Sequence, residues 1–236
     1  MTAIVGYTAR QGINSIGVLC ADNLEGSSKT KVDKLTKISN QFVIGVTGLE
    51  CVDWAIGYTI GYFEQFSGSR IKCFSISELE IILNEALPYA FKTLKDQKFC
   101  GDIENQIDLT TLIVILDLSD NKLYYSDLGK VWRIDEKVDY RINFNPLEDG
   151  LYSFGAVAVS KDYNQEDYNE LDREKVVKAI ETKYIFYQAK YPNDVGQLGS
   201  IQINMKGQDE YELFKSCFKP YKEFMDNMII RSKKEK

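Results

Sequence analysis

Hydrophobic periodicity switches between two and 3.6 residues along this chain, and the order of the switches restricts the fold more than any single motif. Residues 3–9 and 15–21 are rich in Ile, Val and Thr and are joined by the turn-like Gln11-Gly12-Ile13-Asn14, so they read as paired strands. A third strand, 41–47, ends at Gly48. From Glu50 to about Phe66 the spacing of Val52, Ala55, Ile56, Ile60, Phe63 and Phe66 is helical. A second helix is expected from Ser77 to about Gln97, with Ser77 and Glu80 in capping-box spacing ahead of Leu79, Ile82, Leu83, Leu87 and Phe91. Residues 110–117 and 123–126 read as a strand pair turning at Ser119-Asp120-Asn121-Lys122, and a turn at Asp127-Leu128-Gly129 leads to a strand at 130–135. The apolar run at 151–159 has no period that decides its type. Helical spacing returns over 172–190, Ile201–Met205 reads as a strand, and Glu210–Ile230 reads as helix broken near Pro220. Strands, two helices, strands, then helix and strand imply an α+β chain: two stacked, mainly antiparallel sheets flanked by helices, a four-layer αββα sandwich.

No repeat or Pro/Gly/Ser-rich linker divides the 236 residues, 44% of them hydrophobic, so a single domain over 1–236 is expected, with about 210–236 as a C-terminal helical extension. A net charge of −6 argues against nucleic acid as a partner, because a phosphate backbone calls for a positive surface. The one basic cluster, Arg231-Ser232-Lys233-Lys234-Glu235-Lys236, reads as a solvated tail. With no signal-peptide pattern and no apolar run of spanning length, a cytoplasmic protein without a membrane partner is expected. Cys20, Cys51, Cys73, Cys100 and Cys217 are odd in number and never spaced C-x-x-C, which fits reduced thiols and no metal site.

The chain contains no histidine. Ser-His-Asp and Cys-His catalysis, histidine bases and most zinc sites are thereby excluded. An α-amino group, with a reference pKa of roughly 7.7–8.0, is among the few groups left that titrate near neutral pH. Thr2 succeeds Met1, and removal of Met1 before a small residue would leave a hydroxyl and a free amine on one residue. A threonine at this position is ordinarily just a terminal residue. The downstream segments are more informative: Cys20-Ala21-Asp22, Lys34-Leu35-Thr36-Lys37-Ile38-Ser39 and Ile44-Gly45-Val46-Thr47-Gly48 each place a polar residue or glycine at the edge of an apolar run. Residues at strand ends can converge on one cleft.

These segments resemble the proteasome β-type family of N-terminal-nucleophile hydrolases, including the related bacterial two-ring threonine protease. The shared pattern is a processed N-terminal Thr, a small-small-Asp ending the second strand, a Lys opening a short apolar strand, and a glycine closing the next. Thr2, Ala21-Asp22, Lys34 and Gly48 match it, without a gap from Lys34 through Gly48. Asp194-Val195-Gly196-Gln197-Leu198-Gly199-Ser200 resembles the family's Asp-x-x-Ser-Gly-Gly turn, with Gln197 in place of the serine. Asn23-Leu24 stand where the family has an arginine, and the first hairpin is longer than usual.

The resemblance implies a threonine-type endopeptidase with Thr2, Asp22, Lys34, Gly48 and Asp194 as catalytic residues, and no cofactor. It also implies Val46 and Glu50 on the wall of a substrate pocket, peptide or unfolded protein as substrate, a ring-forming oligomer, and an ATP-dependent unfoldase as partner. Taken singly the residues have plainer roles: Asp22 as a turn or cap residue, Lys34 as part of a solvated charged stretch, Gly48 as a backbone hinge, Asp194 as a turn former. Two other functions remain open on the same residues. One is a catalytically silent ring or scaffold subunit that keeps Met1; the other is an amidohydrolase acting on a small amide.

Overall fold

A computed structural model describes residues 3–23, 33–38, 41–48, 56, 57, 59, 61, 75–96, 111–129, 141–155, 160–164, 169–193, 195–207 and 210–215. Strands β1 (Ala3–Gln11) and β2 (Asn14–Asp22) form the opening hairpin. They are followed by β3 (Leu35–Ile38), β4 (Phe42–Thr47), helix α1 (Ile76–Asp96), β5 (Thr111–Asp117) and β6 (Lys122–Gly129). Next come β7 (Asn145–Pro146), β8 (Gly150–Gly155), β9 (Ser160–Asn164), helix α2 (Arg173–Lys190), β10 (Leu198–Lys206) and β11 (Tyr211–Lys215). Two sheets result, with strand orders β11-β10-β2-β1-β8-β9 and β3-β4-β5-β6-β7. Every pairing in them is antiparallel. The α+β sandwich expected from the periodicity is the architecture found.

Both faces of the first sheet are covered, which explains why β1 and β2 read as nearly unbroken apolar runs. Ala3, Val5, Tyr7 and Ala9 face α2, packing with Val176, Ile180 and Tyr184. Ile4 faces the other way, into a core shared with Leu35, Val43, Leu112, Val114 and Leu116 of the second sheet. Two glycines let the sheets close. A Cβ at Gly45 would lie 2.7 Å from Ile4 Cδ1, and one at Gly6 would lie 2.7 Å from Leu123 Cδ1. On α1, Leu79, Leu83 and Leu87 form a buried stripe. The neighbouring Asn84 grips the backbone of Ile142 at both its N–H and C=O, while Glu80 accepts from Phe144 N–H at 2.9 Å.

Several expectations need correction. The cap of α1 lies two residues early: Ser75 Oγ accepts from Glu78 N–H at 3.2 Å and donates to the Glu78 carboxylate at 3.1 Å, so the box is Ser75/Glu78, with Glu80 engaged elsewhere. Asp127-Leu128-Gly129 is no turn but the end of β6, paired to β5 across a register shift at Thr111/Leu112. The undecided run near 151 is strand β8. Residues 211–215, read as helical, form an edge strand on β10. Residues 216–236 lie outside the described residues, as do 130–135 and most of 50–66; Ile56, Gly57, Thr59 and Gly61 are helical. Among the described residues, no helix is long and apolar enough to cross a membrane.

Candidate active site

Asp22 closes β2, and the hairpin register sets Ile4 opposite Ala21, so Asp22 arrives beside the first residue of β1. On its other side β10 joins with Leu198 paired to Asp22 and a bulge before Ser200. The bulge frees the preceding segment to turn its backbone toward the carboxylate. Asp22 Oδ1 accepts from Ala3 N–H at 2.8 Å, and Oδ2 accepts from Gly196 N–H at 2.9 Å. Lys34 Nζ bridges both oxygens at 2.9 Å. These contacts occupy the roughly four lone-pair directions of an ionised carboxylate.

The pair is out of water: Asp22 is 0% exposed and Lys34 8%. Buried polar groups are costly unless matched, and here the two amide donors and the Lys34 ammonium match both carboxylate oxygens of Asp22. Lys34 is therefore no member of a solvated face, although it sits in a charged stretch. Its position is set from β3, which begins one residue later and pairs Leu35 with Gly45 of β4. Asp33, just ahead of it, accepts from the buried Ser200 hydroxyl on β10, so the strap entering β3 is tied to the first sheet at two successive residues.

The register of β3 and β4, carried one step past Leu35, sets Lys34 opposite Val46. Val46 is 6% exposed and pairs with Ile113. Gly48 comes after the end of β4 with φ +100°, a conformation that side chains with a Cβ rarely adopt, which explains why a glycine stands there. Between them, the buried Thr47 hydroxyl has no hydrogen-bond partner among the described residues. The structure thus brings Asp22 and Lys34 together, against Ala3, and places Val46 and Gly48 along the strand next to β3. Thr2, Glu50 and Asp194 lie outside the described residues.

Three contributors are hidden at the level of sequence. Gly196 acts through its backbone N–H, which no residue letter advertises. Ser200 stands in the sequence only as the last residue of a turn. Tyr184 donates to the C=O of Ala3 at 3.0 Å from within α2, where its spacing from Val176 and Ile180 makes it look like one more core residue. Burial pushes the Tyr184 phenol well above its ordinary range, with Cys20 and Asp22 nearby acting in the same direction, so it stays a donor. Burial likewise raises the Cys20 thiol, which sits in the core as an inert apolar group. Among the described residues, no group of His, Cys, Asp and Glu side chains is placed to hold a metal ion.

No family model matches the sequence, and no curated protein matches it significantly. Solved structures do match in three dimensions. Anbu from Hyphomicrobium sp. strain MC1, in its Gly-1 mutant form, superposes with a TM-score of 0.54 at 12% identity, over 100% of this chain and 96% of its own. The chain shares the Anbu fold. Anbu from Yersinia bercovieri, described as an ancestral beta-subunit, superposes with a TM-score of 0.51 at 9% identity, over 97% of this chain and 95% of its own. Anbu and this chain thus match nearly end to end, so the likeness covers both sheets and the hairpin that carries Asp22.

Proposed function

We propose that this chain is a threonine-type peptidase. Thr2, freed at its amine by removal of Met1, supplies the nucleophile through its hydroxyl and the base through that amine. One observation carries the proposal: the buried Asp22–Lys34 pair is seated on the N–H of Ala3, the peptide that joins Ala3 to residue 2. A buried ion pair that served only the fold could lie anywhere in the core. This one lies one peptide from the candidate nucleophile.

In the proposed reaction the Thr2 Oγ attacks an amide carbonyl carbon while its proton passes to the α-amine, directly or through a water. The C–N bond then breaks, the amine returns the proton to the departing nitrogen, and water hydrolyses the ester left on Thr2. The amine must be neutral at the first step. A positive charge on Lys34 disfavours protonation of a neighbouring amine and favours the developing alkoxide, and Asp22 keeps Lys34 charged and in place. Gly48 N–H donating to the carbonyl oxygen would lower the barrier by about 3 kcal/mol.

Asp194 is assigned to the turn that delivers Gly196, and Val46 and Glu50 to the wall of the pocket for the residue before the cut, where Glu50 would favour Lys or Arg. The substrates proposed are peptide bonds in unfolded chains, cut within a ring of subunits in the cytoplasm and fed by an ATP-driven unfoldase. The resemblance in sequence pattern supports this assembly, and so does the shared fold with a protein described as a beta-subunit.

Intact mass spectrometry before and after exposure to a peptide epoxyketone, an electrophile that needs both hydroxyl and amine, tests the proposal. Loss of one methionine and a single adduct on Thr2 are expected; Thr2→Ala should neither label nor cleave. Retained Met1 and no adduct would mark a silent subunit instead. An adduct with every peptide substrate left uncut would mark a small-amide hydrolase.

A further inference from the structure

The inner stripe of α2 runs Val176, Ile180, Tyr184, four residues apart and all buried. The first two pack on the first sheet through carbon alone. A phenylalanine at the third position would fill the same space, so the hydroxyl is what needs explaining. It is spent on the C=O of Ala3 at 3.0 Å, while the N–H of the same residue goes to Asp22 Oδ1 at 2.8 Å. Ala3 pairs with Gly155 as the last rung between β1 and β8. Beyond a last rung the ladder no longer holds a strand, and ends fray. Here two side chains from different elements take over where the ladder stops.

We infer that Tyr184 is a positioning residue for the proposed Thr2 nucleophile: it fixes the start of β1 from the helix side, as Asp22 fixes it from the sheet side. The inference rests on the peptidase proposal above. Tyr184 touches neither substrate nor reacting atoms; it acts by narrowing the range of positions open to the residue ahead of Ala3. Misplacement of a nucleophile slows the chemical step and leaves ground-state binding nearly as it was.

Tyr7 supplies a matched control. It lies on the same strand and the same face, four residues on, and its buried hydroxyl donates to Glu170 C=O and accepts from Glu170 N–H, both at 2.8 Å. The measurement is the first-order labelling of Thr2 by a peptide epoxyketone, separated into the limiting rate kinact and the half-saturation constant KI, with thermal midpoints recorded alongside. Partial unfolding lowers the labelled amplitude; displacement of the nucleophile lowers the rate. Tyr184→Phe is expected to reduce kinact about ten-fold and to leave KI within about two-fold, a change of the size that one lost hydrogen bond allows. Tyr7→Phe should lower the thermal midpoint with kinact unchanged. Placing 4-aminophenylalanine at 184, which keeps a donor, should restore the rate. Should the Phe variant not fold, 4-fluorophenylalanine, of similar length and without a donor, takes its place. Equal kinact in Tyr184→Phe and parent, or equal losses in the Tyr184 and Tyr7 variants, overturns the inference alone. A parent chain that takes no label overturns the peptidase proposal and this inference with it.

Discussion

Asp22 and Lys34 show how far single residues can be read. Their positions at the edges of apolar runs point to a shared site, and the two do meet. Their burial is illegible, because Lys34 stands in a stretch from Lys29 to Lys37 whose composition suggests a solvated face, whereas Asp33 and Lys34 are tied inward to Ser200 and Asp22 of the first sheet. Lys34→Met should leave the Asp22 carboxylate buried beside two amides and cost about 3–5 kcal/mol, read from urea unfolding. Asp22→Asn with Lys34→Met, which removes both charges, should recover part of the loss. The raised thiol of Cys20 and phenol of Tyr184 set a second test. Groups whose folded pKa lies above the unfolded value keep protons that the unfolded chain releases, so their stabilisation is full below the unfolded pKa and is lost as pH rises. The urea midpoint should fall from about pH 9 upward, the range where free thiols and then phenols ionise, and Cys20→Ala should delay the onset. Peptide mapping after iodoacetamide at pH 8 should find Cys20 unmodified in the folded chain.

At the scale of elements, existence is easier to read than ends. Strand and helix periods locate β1, β2, β4 and α2 to within two residues of their observed bounds. The cap of α1 is easily misplaced because Ser75-Ile76-Ser77-Glu78-Leu79-Glu80 contains two overlapping Ser-x-x-Glu frames. Tertiary structure chooses between them: Glu80 is drawn to the Phe144 amide, so Ser75 and Glu78 form the box. Ser75→Ala should therefore cost about 1 kcal/mol in thermal or urea unfolding, and Ser77→Ala only a few tenths. Gly129 suggests a turn because glycine usually interrupts strands, yet here it pairs with Thr111 across the bulge that precedes Leu112. Segment 141–146 alternates, with Ile142 and Phe144 buried between exposed Arg141, Asn143 and Asn145, but over too few positions to be read as an element from the sequence. It is held by side chains of α1, with Asn84 serving Ile142 as a neighbouring strand would, and hydrogen bonds of that kind leave no periodic trace.

For the molecule as a whole, the layer order is legible and the strand order is not. Periods of two and 3.6 dictate sheets between helices, but nothing local says that β1 lies between β2 and β8, a partner about 150 residues along, or that β10 joins β2. Such pairings are decided by how the sheets fit. Ile4 fits into the space over Gly45, and Gly45→Val should force the layers apart there, costing about 1–3 kcal/mol with the denaturant slope unchanged.

Ala3 is held by residues 19 and 181 positions further along the chain, Asp22 and Tyr184. On a ribosome adding about 5–20 residues per second, roughly 10–40 s separate emergence of that first strand from synthesis of the helix that seats it. On the peptidase proposal, removal of Met1 would have that interval in which to act before the seating helix is made.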